Sequence, residues 1–254
     1  MSIDASHLQR LKSGAILLGV VILVGVINIP FIVWLFLGAI YLLSFWEAQN
    51  LFKVDNRYLL IGAVILWIIG GAWEHPIDMI FGAIVILTSI ILYKQNMPLR
   101  AIFPFLYPTA GIFFIWMLYL EYDIEGLYSL LVIVALSDIG AYYIGKKFGK
   151  EKFSIISPNK TVEGVYGGLA LGTIGGMIML SNFLELPLLA SLFCSLAVSL
   201  ASIFGDLFES YLKREAGVKD SSNLIPGHGG ILDRIDGFLF GSVILYLLLA
   251  LFSF

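Results

Sequence analysis

Charge is scarce in this chain. Only 13% of its 254 residues are charged while 59% are hydrophobic, and the mean hydropathy is +0.95. A soluble domain of this size cannot hide so much apolar surface, so water is excluded as the surrounding medium and lipid takes its place. Cysteine is nearly absent: Cys194 stands alone inside the apolar run 188–201, which rules out a disulfide framework and reads as a small buried hydrophobe. No small-residue cleavage site follows the apolar run 15–27 behind Arg10 and Lys12, so that run reads as a first span rather than a removed signal. The alternation of barrel strands is missing as well, which leaves helices to satisfy the backbone in hydrocarbon. No repeat, low-complexity tract or soluble linker interrupts the chain. The expectation is therefore one all-α, polytopic integral membrane domain over 1–254. The net charge of −3 carries no information about partners, and nucleic acid is not among those expected.

What is present is a series of apolar runs at about 14–28, 30–46, 58–73, 77–93, 103–120, 125–145, 163–181, 186–212 and 230–253. They make about nine candidate transmembrane helices, near the ~20 residues needed to cross hydrocarbon. Five would lie in an N-terminal part, 1–124, and four in a catalytic half, 125–254. All 15 Lys and Arg fall in alternate gaps: 10–12, 53–57, 94–100, 146–160, and 213–234. The remaining gaps carry acids instead, among them Glu74, Asp78, Glu121, Asp123, Glu125 and Glu185. The positive-inside rule makes the cationic side cytoplasmic, giving a cytoplasmic N-terminus and an external C-terminus. Gly164, Gly168, Gly172 and Gly176 recur every four residues on the seventh run, which favours close helix packing over a substrate groove and leaves a homodimer contact open.

The residual charge is concentrated. Residues 210–236 hold Lys213, Arg214, Lys219, Arg234, Glu215, Asp220, Asp233, Asp236, His228 and a GHGG turn. Acids inside or beside hydrocarbon cost roughly 2.5–3.5 kcal/mol each at mid-bilayer and persist when they face a cavity, a counter-charge or a metal. Asp206, Ser210 and Lys213 share one helical face by their spacing, and Asp233 and Asp236 share another. Carboxylates Asp206, Asp233 and Asp236 suit a hard cation such as Mg2+, alone or with a second cation, completed by substrate phosphates. The four cations would hold those phosphates. Gly229 and Gly230 permit close backbone approach, the N-terminus of the last helix favours anions, and His228 offers a donor. For Lys213 or Arg214 alone, a topology anchor is an equal reading.

A second cluster brings Asp138 and Tyr142, then Ser157, Lys160 and Thr161 around Pro158. Ser157, Lys160 and Thr161 can donate to a phosphate, although Thr161 reads equally well as the cap of the seventh helix. Lys146, Lys147, Lys150 and Lys152 read as a solvated basic rim facing anionic headgroups.

These residues resemble the CDP-diacylglycerol synthase, or phosphatidate cytidylyltransferase, family. Its S-x-x-K-R, K-D and H-G-G-x-x-D-R-x-D signature stands here at Ser210, Lys213 and Arg214, at Lys219 and Asp220, and at His228, Gly229, Gly230, Asp233, Arg234 and Asp236. Asp138, Asp206 and the 157–161 stretch are also similar, so the resemblance covers about the C-terminal half. Ile139 and Val162 depart from the usual Thr and Trp, which bears on substrate packing. The resemblance implies transfer of CMP from CTP to phosphatidic acid, releasing pyrophosphate. It implies catalytic roles for Asp206, Lys213, Arg214, Asp233 and Asp236. Substrate contacts are implied for Asp138, Ser157, Lys160, Thr161, Ser210, Lys219, Asp220, His228, Gly229, Gly230 and Arg234. The expected setting is the cytoplasmic membrane of a prokaryote, with CTP, phosphatidic acid and membrane lipids as partners and the site facing the cytoplasm. A related lipid cytidylyltransferase, a polyprenol kinase-like enzyme and an ion-coupled transporter are the competing readings.

Overall fold

The computed structural model describes residues 5–252, with side chains from residue 13 onward. The side chains of Arg10 and Lys12, used in the topology argument, and residue 253 at the end of the ninth run lie outside the described residues.

Helices dominate: α1 (Ala5–Ile27), α2 (Pro30–Leu51), α3 (Arg57–Gly71), α4 (Pro76–Lys94), α5 (Phe103–Leu106), α6 (Thr109–Phe148), α7 (Val162–Phe183), α8 (Leu188–Ala216) and α9 (Leu232–Phe252). Among the described residues the only β pairing is two isolated bridges, Lys152 with Thr161 and Ile225 with Gly229. Proline sets the first residue of α2 and α4, where its missing N–H costs nothing. Asn56 caps α3 by accepting from the Tyr58 amide at 2.9 Å, and Thr161 caps α7 by accepting from the Gly164 amide at 3.1 Å.

Six helical stretches among the described residues are long and apolar enough to cross a membrane: Pro30–Leu51, Pro76–Lys94, Leu99–Phe148, Val162–Phe183, Leu188–Ala216 and Leu232–Phe252. Ser13–Ile27 and Arg57–Gly71 are apolar but shorter. The fifth expected run spans α5 and the part of α6 before Asp123, and the sixth lies on the part of α6 after it. Hydropathy breaks at the acids 121–125, and there α6 divides into two helices that meet at Asp123 (φ 50°, ψ −154°), whose carboxylate accepts from the Ile124 amide at 2.7 Å. Large apolar side chains face outward all along the chain, among them Ile16, Phe31, Ile61, Phe81, Ile174 and Leu189. Such a surface is tolerable only against lipid.

The chain forms two compact units. The first comprises Met1–Ala110 and Glu215–Arg234. Its centre is aromatic: Tyr41 meets Phe45 and Trp67 edge-on or tilted, Trp34 stacks on Trp67 at 6.0 Å, and Phe105 packs on Phe45 at 4.9 Å. Two glycines make this approach feasible, since a Cβ on Gly38 would collide with the Trp67 indole and one on Gly71 with that of Trp34. Buried Gln49 closes the α2–α3 turn by donating to the carbonyls of Val54 and Asn56 at 3.3 and 2.9 Å.

The second unit comprises Gly111–Arg214 and Ile235–Phe254. Here the glycine period does what close packing requires. All four of Gly164, Gly168, Gly172 and Gly176 are buried. An added Cβ would meet the Ala141 carbonyl at 2.8 Å from Gly164 and the Ser137 carbonyl at 2.7 Å from Gly168. On Gly172 and Gly176 it would run into Ser199 and Ser195 of α8 and Ile133 of α6. Small side chains thus line both partners of α7, as membrane interfaces prefer. Cys194 is fully buried, consistent with its reading as a small hydrophobe.

A Cβ at Gly168 should therefore overpack the interface and cost about 1–3 kcal/mol. Gly168→Ala is expected to lower the melting temperature in detergent, whereas Gly82→Ala on α4, where nothing lies within 4 Å, should not. Equal melting temperatures would contradict the packing argument.

Candidate active site

In the second unit, residues 149–161 fold into a tight loop before α7. Phe153 donates to the Lys160 carbonyl at 2.9 Å, Val162 to the Glu151 carbonyl at 2.9 Å and Lys160 to the Ser157 carbonyl at 3.0 Å. Glu163 accepts from the Lys150 amide at 3.0 Å, closing the loop on the first turn of α7. The result is a defined position for Lys160, whose ammonium lies 2.6 Å from Asp206 Oδ2. Ser210 donates to Asp206 Oδ1 at 3.3 Å, as the i, i+4 spacing predicts. Thr161 lends its hydroxyl oxygen to the α7 cap, and Ser157 is half-buried beside it in the loop.

Asp236, on α9, lies within electrostatic reach of Asp206, Asp138 and Lys213. Its approach to α8 is close because Gly205 has no side chain: a Cβ there would meet the Asp236 carbonyl oxygen at 2.5 Å. Asp236 also accepts from the Gly237 amide at 2.8 Å. Lys213 pairs with Glu209, fully buried one turn earlier on α8. Glu209 was not expected as a partner, and its pairing spends part of the charge assigned to phosphates. Arg214 is exposed at the end of the same helix.

In the first unit, residues 219–234 wrap into a polar loop. Ile225 donates to the Gly229 carbonyl at 2.8 Å and His228 to the Ile225 carbonyl at 2.9 Å, with Gly227 and Gly229 at φ of +79° and +83°. Those left-handed conformations are why glycine stands there. The Arg234 guanidinium straps the turn by donating to the His228 carbonyl at 3.1 and 2.8 Å. The loop encloses a cleft of about 370 Å³ bordered by Lys219, Asp220, Asn223, His228, Gly229 and Arg234. Three cationic or protonatable side chains line it, with the backbone turn between them.

Ser13 of α1 touches this turn twice, giving its proton to the Pro226 carbonyl at 3.0 Å and meeting His228 Nδ1 at 2.9 Å. A hydroxyl has one proton, so His228 Nδ1 must be the donor in the second contact. Nε2 then carries a proton, and can donate to an anion, when the ring is an imidazolium.

Asp233 stands in the first turn of α9. Its Oδ2 accepts from the Ser221 amide at 2.9 Å, the Ser221 hydroxyl at 2.7 Å and the Gly230 amide at 2.8 Å. Glu47, fully buried on α2, completes the loop's anchorage. Oε1 accepts from Ser222 Oγ at 2.6 Å and the Ile231 amide at 3.0 Å, and Oε2 from Ser221 Oγ at 3.1 Å and the Leu232 amide at 2.7 Å. Gly230 is bare because a Cβ would collide with both Glu47 and Ser221. Sequence reasoning passed over Glu47, Ser13 and Asn223. Only Glu47 left a signal: an acid at the end of an apolar run with no Lys or Arg three or four residues away.

Do these residues fit a divalent cation? Among the described residues, no three His, Cys, Asp or Glu side chains form a preformed metal cage. Mg2+ does not need one: it keeps several waters and binds through one or two carboxylates with substrate phosphates. Asp206 and Asp236 are hard oxygen donors whose mutual repulsion a cation relieves, and so they fit.

A sequence profile described as the cytidylyltransferase family matches residues 8–252. The chain is 38% identical over 242 residues to a phosphatidate cytidylyltransferase of Helicobacter pylori strain J99, covering 95% of this chain and 91% of that one. It is 35% identical over 276 aligned positions to the phosphatidate cytidylyltransferase of Bacillus subtilis strain 168, covering 96% and 98%. A Staphylococcus aureus (strain COL) protein of the same name is 38% identical over 215 residues, covering 79% and 82%.

Gly229→Ala should strain the turn by roughly 1–2 kcal/mol through its left-handed backbone. The new Cβ would also press on Asp233 Oδ2, 2.6 Å away. Hydrogen exchange followed by mass spectrometry should show faster exchange at Ser221 and Gly230, whose amides Asp233 accepts from. Unchanged exchange would contradict the anchoring role.

Proposed function

The chain belongs to the cytidylyltransferase family, and from that premise we propose that it transfers CMP from CTP to phosphatidic acid, releasing pyrophosphate and forming CDP-diacylglycerol for phospholipid synthesis. The observation that carries the reading within the fold is the cleft bordered by Lys219, His228 and Arg234. Its residues suit a polyphosphate: a flexible ammonium, an imidazole that donates from its far nitrogen when protonated, and a guanidinium held at the rim by the His228 carbonyl.

The reaction asks little covalent chemistry of the protein. A phosphate oxygen of phosphatidic acid attacks the α-phosphorus of CTP in line, the new P–O bond forms as the bond to pyrophosphate breaks, and the electron pair leaves with pyrophosphate. That oxygen is already anionic at neutral pH, so no side chain need remove a proton. Catalysis then rests on position and charge neutralisation. Lys219, His228 and Arg234 would hold the nucleotide phosphates and take up the charge that develops on pyrophosphate. Lys160, flanked by Ser157 and Thr161 and held by its own loop, would bind a substrate phosphate.

Asp206 and Asp236, with Asp138 and Ser210 around them, would hold Mg2+; when bound, the cation would neutralise phosphate charge and help align the reacting groups. Asp233, third in the expected ligand set, supports the loop through Oδ2, and Asp220 borders the cleft. Lys213 and Arg214 would contribute positive charge at the end of α8.

The placement of cations in alternate gaps supports nine membrane segments, a cytoplasmic N-terminal side and an external C-terminal side. The reading puts the protein in a bacterial cytoplasmic membrane with its signature residues toward the cytoplasm, where CTP is available. Phosphatidic acid already lies in the leaflet.

Purified protein supplied with phosphatidic acid, Mg2+ and CTP labelled at the α-phosphate should produce labelled lipid, while γ-labelled CTP should leave the lipid unlabelled. EDTA should abolish the product, and Asp206→Asn or Asp236→Asn should lower turnover at least about a hundredfold. Wild-type turnover in both variants would refute the cation assignment. Absence of labelled lipid with folded wild-type protein would refute the reaction.

A further inference from the structure

We propose that Glu47 is a positioning residue that sets CTP affinity by holding the cleft loop against the start of α9; the proposal rests on the reading of that cleft as the nucleotide site. Glu47 is distant in sequence from everything it touches. Its four donors come from Ser221, Ser222, Ile231 and Leu232, 174 to 185 residues away.

The geometry is that of a clamp. Each carboxylate oxygen takes one serine hydroxyl and one backbone amide. The two serines follow Lys219 and Asp220 at one end of the cleft loop, and the two amides follow Gly230 at the other. One side chain therefore ties both ends of the segment that carries Asn223 and His228. Lys219 and Arg234 lie just beyond the tied points, so their backbone positions depend on the same carboxylate.

Burial makes the clamp rigid. A carboxylate with no exposed surface must keep its donors, because water cannot replace them. The Ile231 and Leu232 amides belong to the exposed-donor end of α9, so the helix dipole adds to the attraction. Gly230 fits the same device, since any side chain there would expel the carboxylate. Ser221 links the clamp to Asp233 by sharing its single hydroxyl proton between the two acids, 2.7 Å to Asp233 and 3.1 Å to Glu47.

A side chain that only stabilised the fold would leave the kinetics of the surviving folded protein unchanged. A positioning residue moves one substrate's KM. In Glu47→Gln the amide nitrogen would face donors, and the KM for CTP should rise about tenfold or more, with kcat and the KM for phosphatidic acid within about threefold of wild type. Ser222→Ala removes one donor from a half-buried position and should raise the CTP KM by a smaller factor with normal folding. If Glu47→Gln does not fold, Ser222→Ala decides alone. An unchanged CTP KM in the folded variants, or equal shifts for both substrates, would overturn the proposal. Arg234→Ala separates the two levels: an unchanged CTP KM there would overturn the cleft reading itself, whereas a raised value beside an unchanged one in the clamp variants would sink only the role of Glu47.

Discussion

A peptide group inside hydrocarbon finds no water, so it must pair with another group of the chain. That constraint explains why the described residues are helical almost throughout and why irregular backbone is confined to the ends of helices. It also explains where polar side chains gather. A carboxylate such as Glu47 or Glu209 is tolerated only where donors or a cation meet it, and both are fully buried, Glu47 among four donors and Glu209 beside Lys213. The same rule that makes the chain apolar therefore concentrates its chemistry at helix ends.

Glycine is the second structural resource, used in two ways. On α7 it is a matter of distance: bare Cα atoms let helix backbones approach, with serines of α8 as small partners. In the 225–230 turn it is a matter of conformation and clearance. Gly227 and Gly229 take left-handed backbone, and Gly230 makes room for a carboxylate. Residues that look alike in the signature thus answer different demands.

The acids of the signature divide in a similar manner. Asp206 and Asp236 stand within electrostatic reach of one another, whereas Asp233 accepts from backbone amides. Lys160 reaches Asp206, and Lys213 reaches Glu209.

Much of this was legible without coordinates. Composition alone required a helical membrane protein, because apolar fraction and run length are local quantities. The family signature was readable for the same reason, since its residues stand close together in the chain. The glycine period favoured helix packing, and Thr161 offered a cap as one of two readings, since both depend on neighbours within one or two turns. The break at Asp123 was legible as a gap between two helices, because the acids interrupt the apolar run locally; its backbone conformation was not, because hydropathy reports polarity and not backbone direction. The partners of Asp233, the pairing of Lys213 and the four donors of Glu47 were decided by tertiary structure. Glu47 finds its donors as far as 185 residues along the chain, and no local pattern encodes a contact of that span. Sequence supplied the kind of chemistry, since side-chain types are intrinsic; folding chose which carboxylate fastens the loop and which are left to hold charge, since that depends on what each one meets.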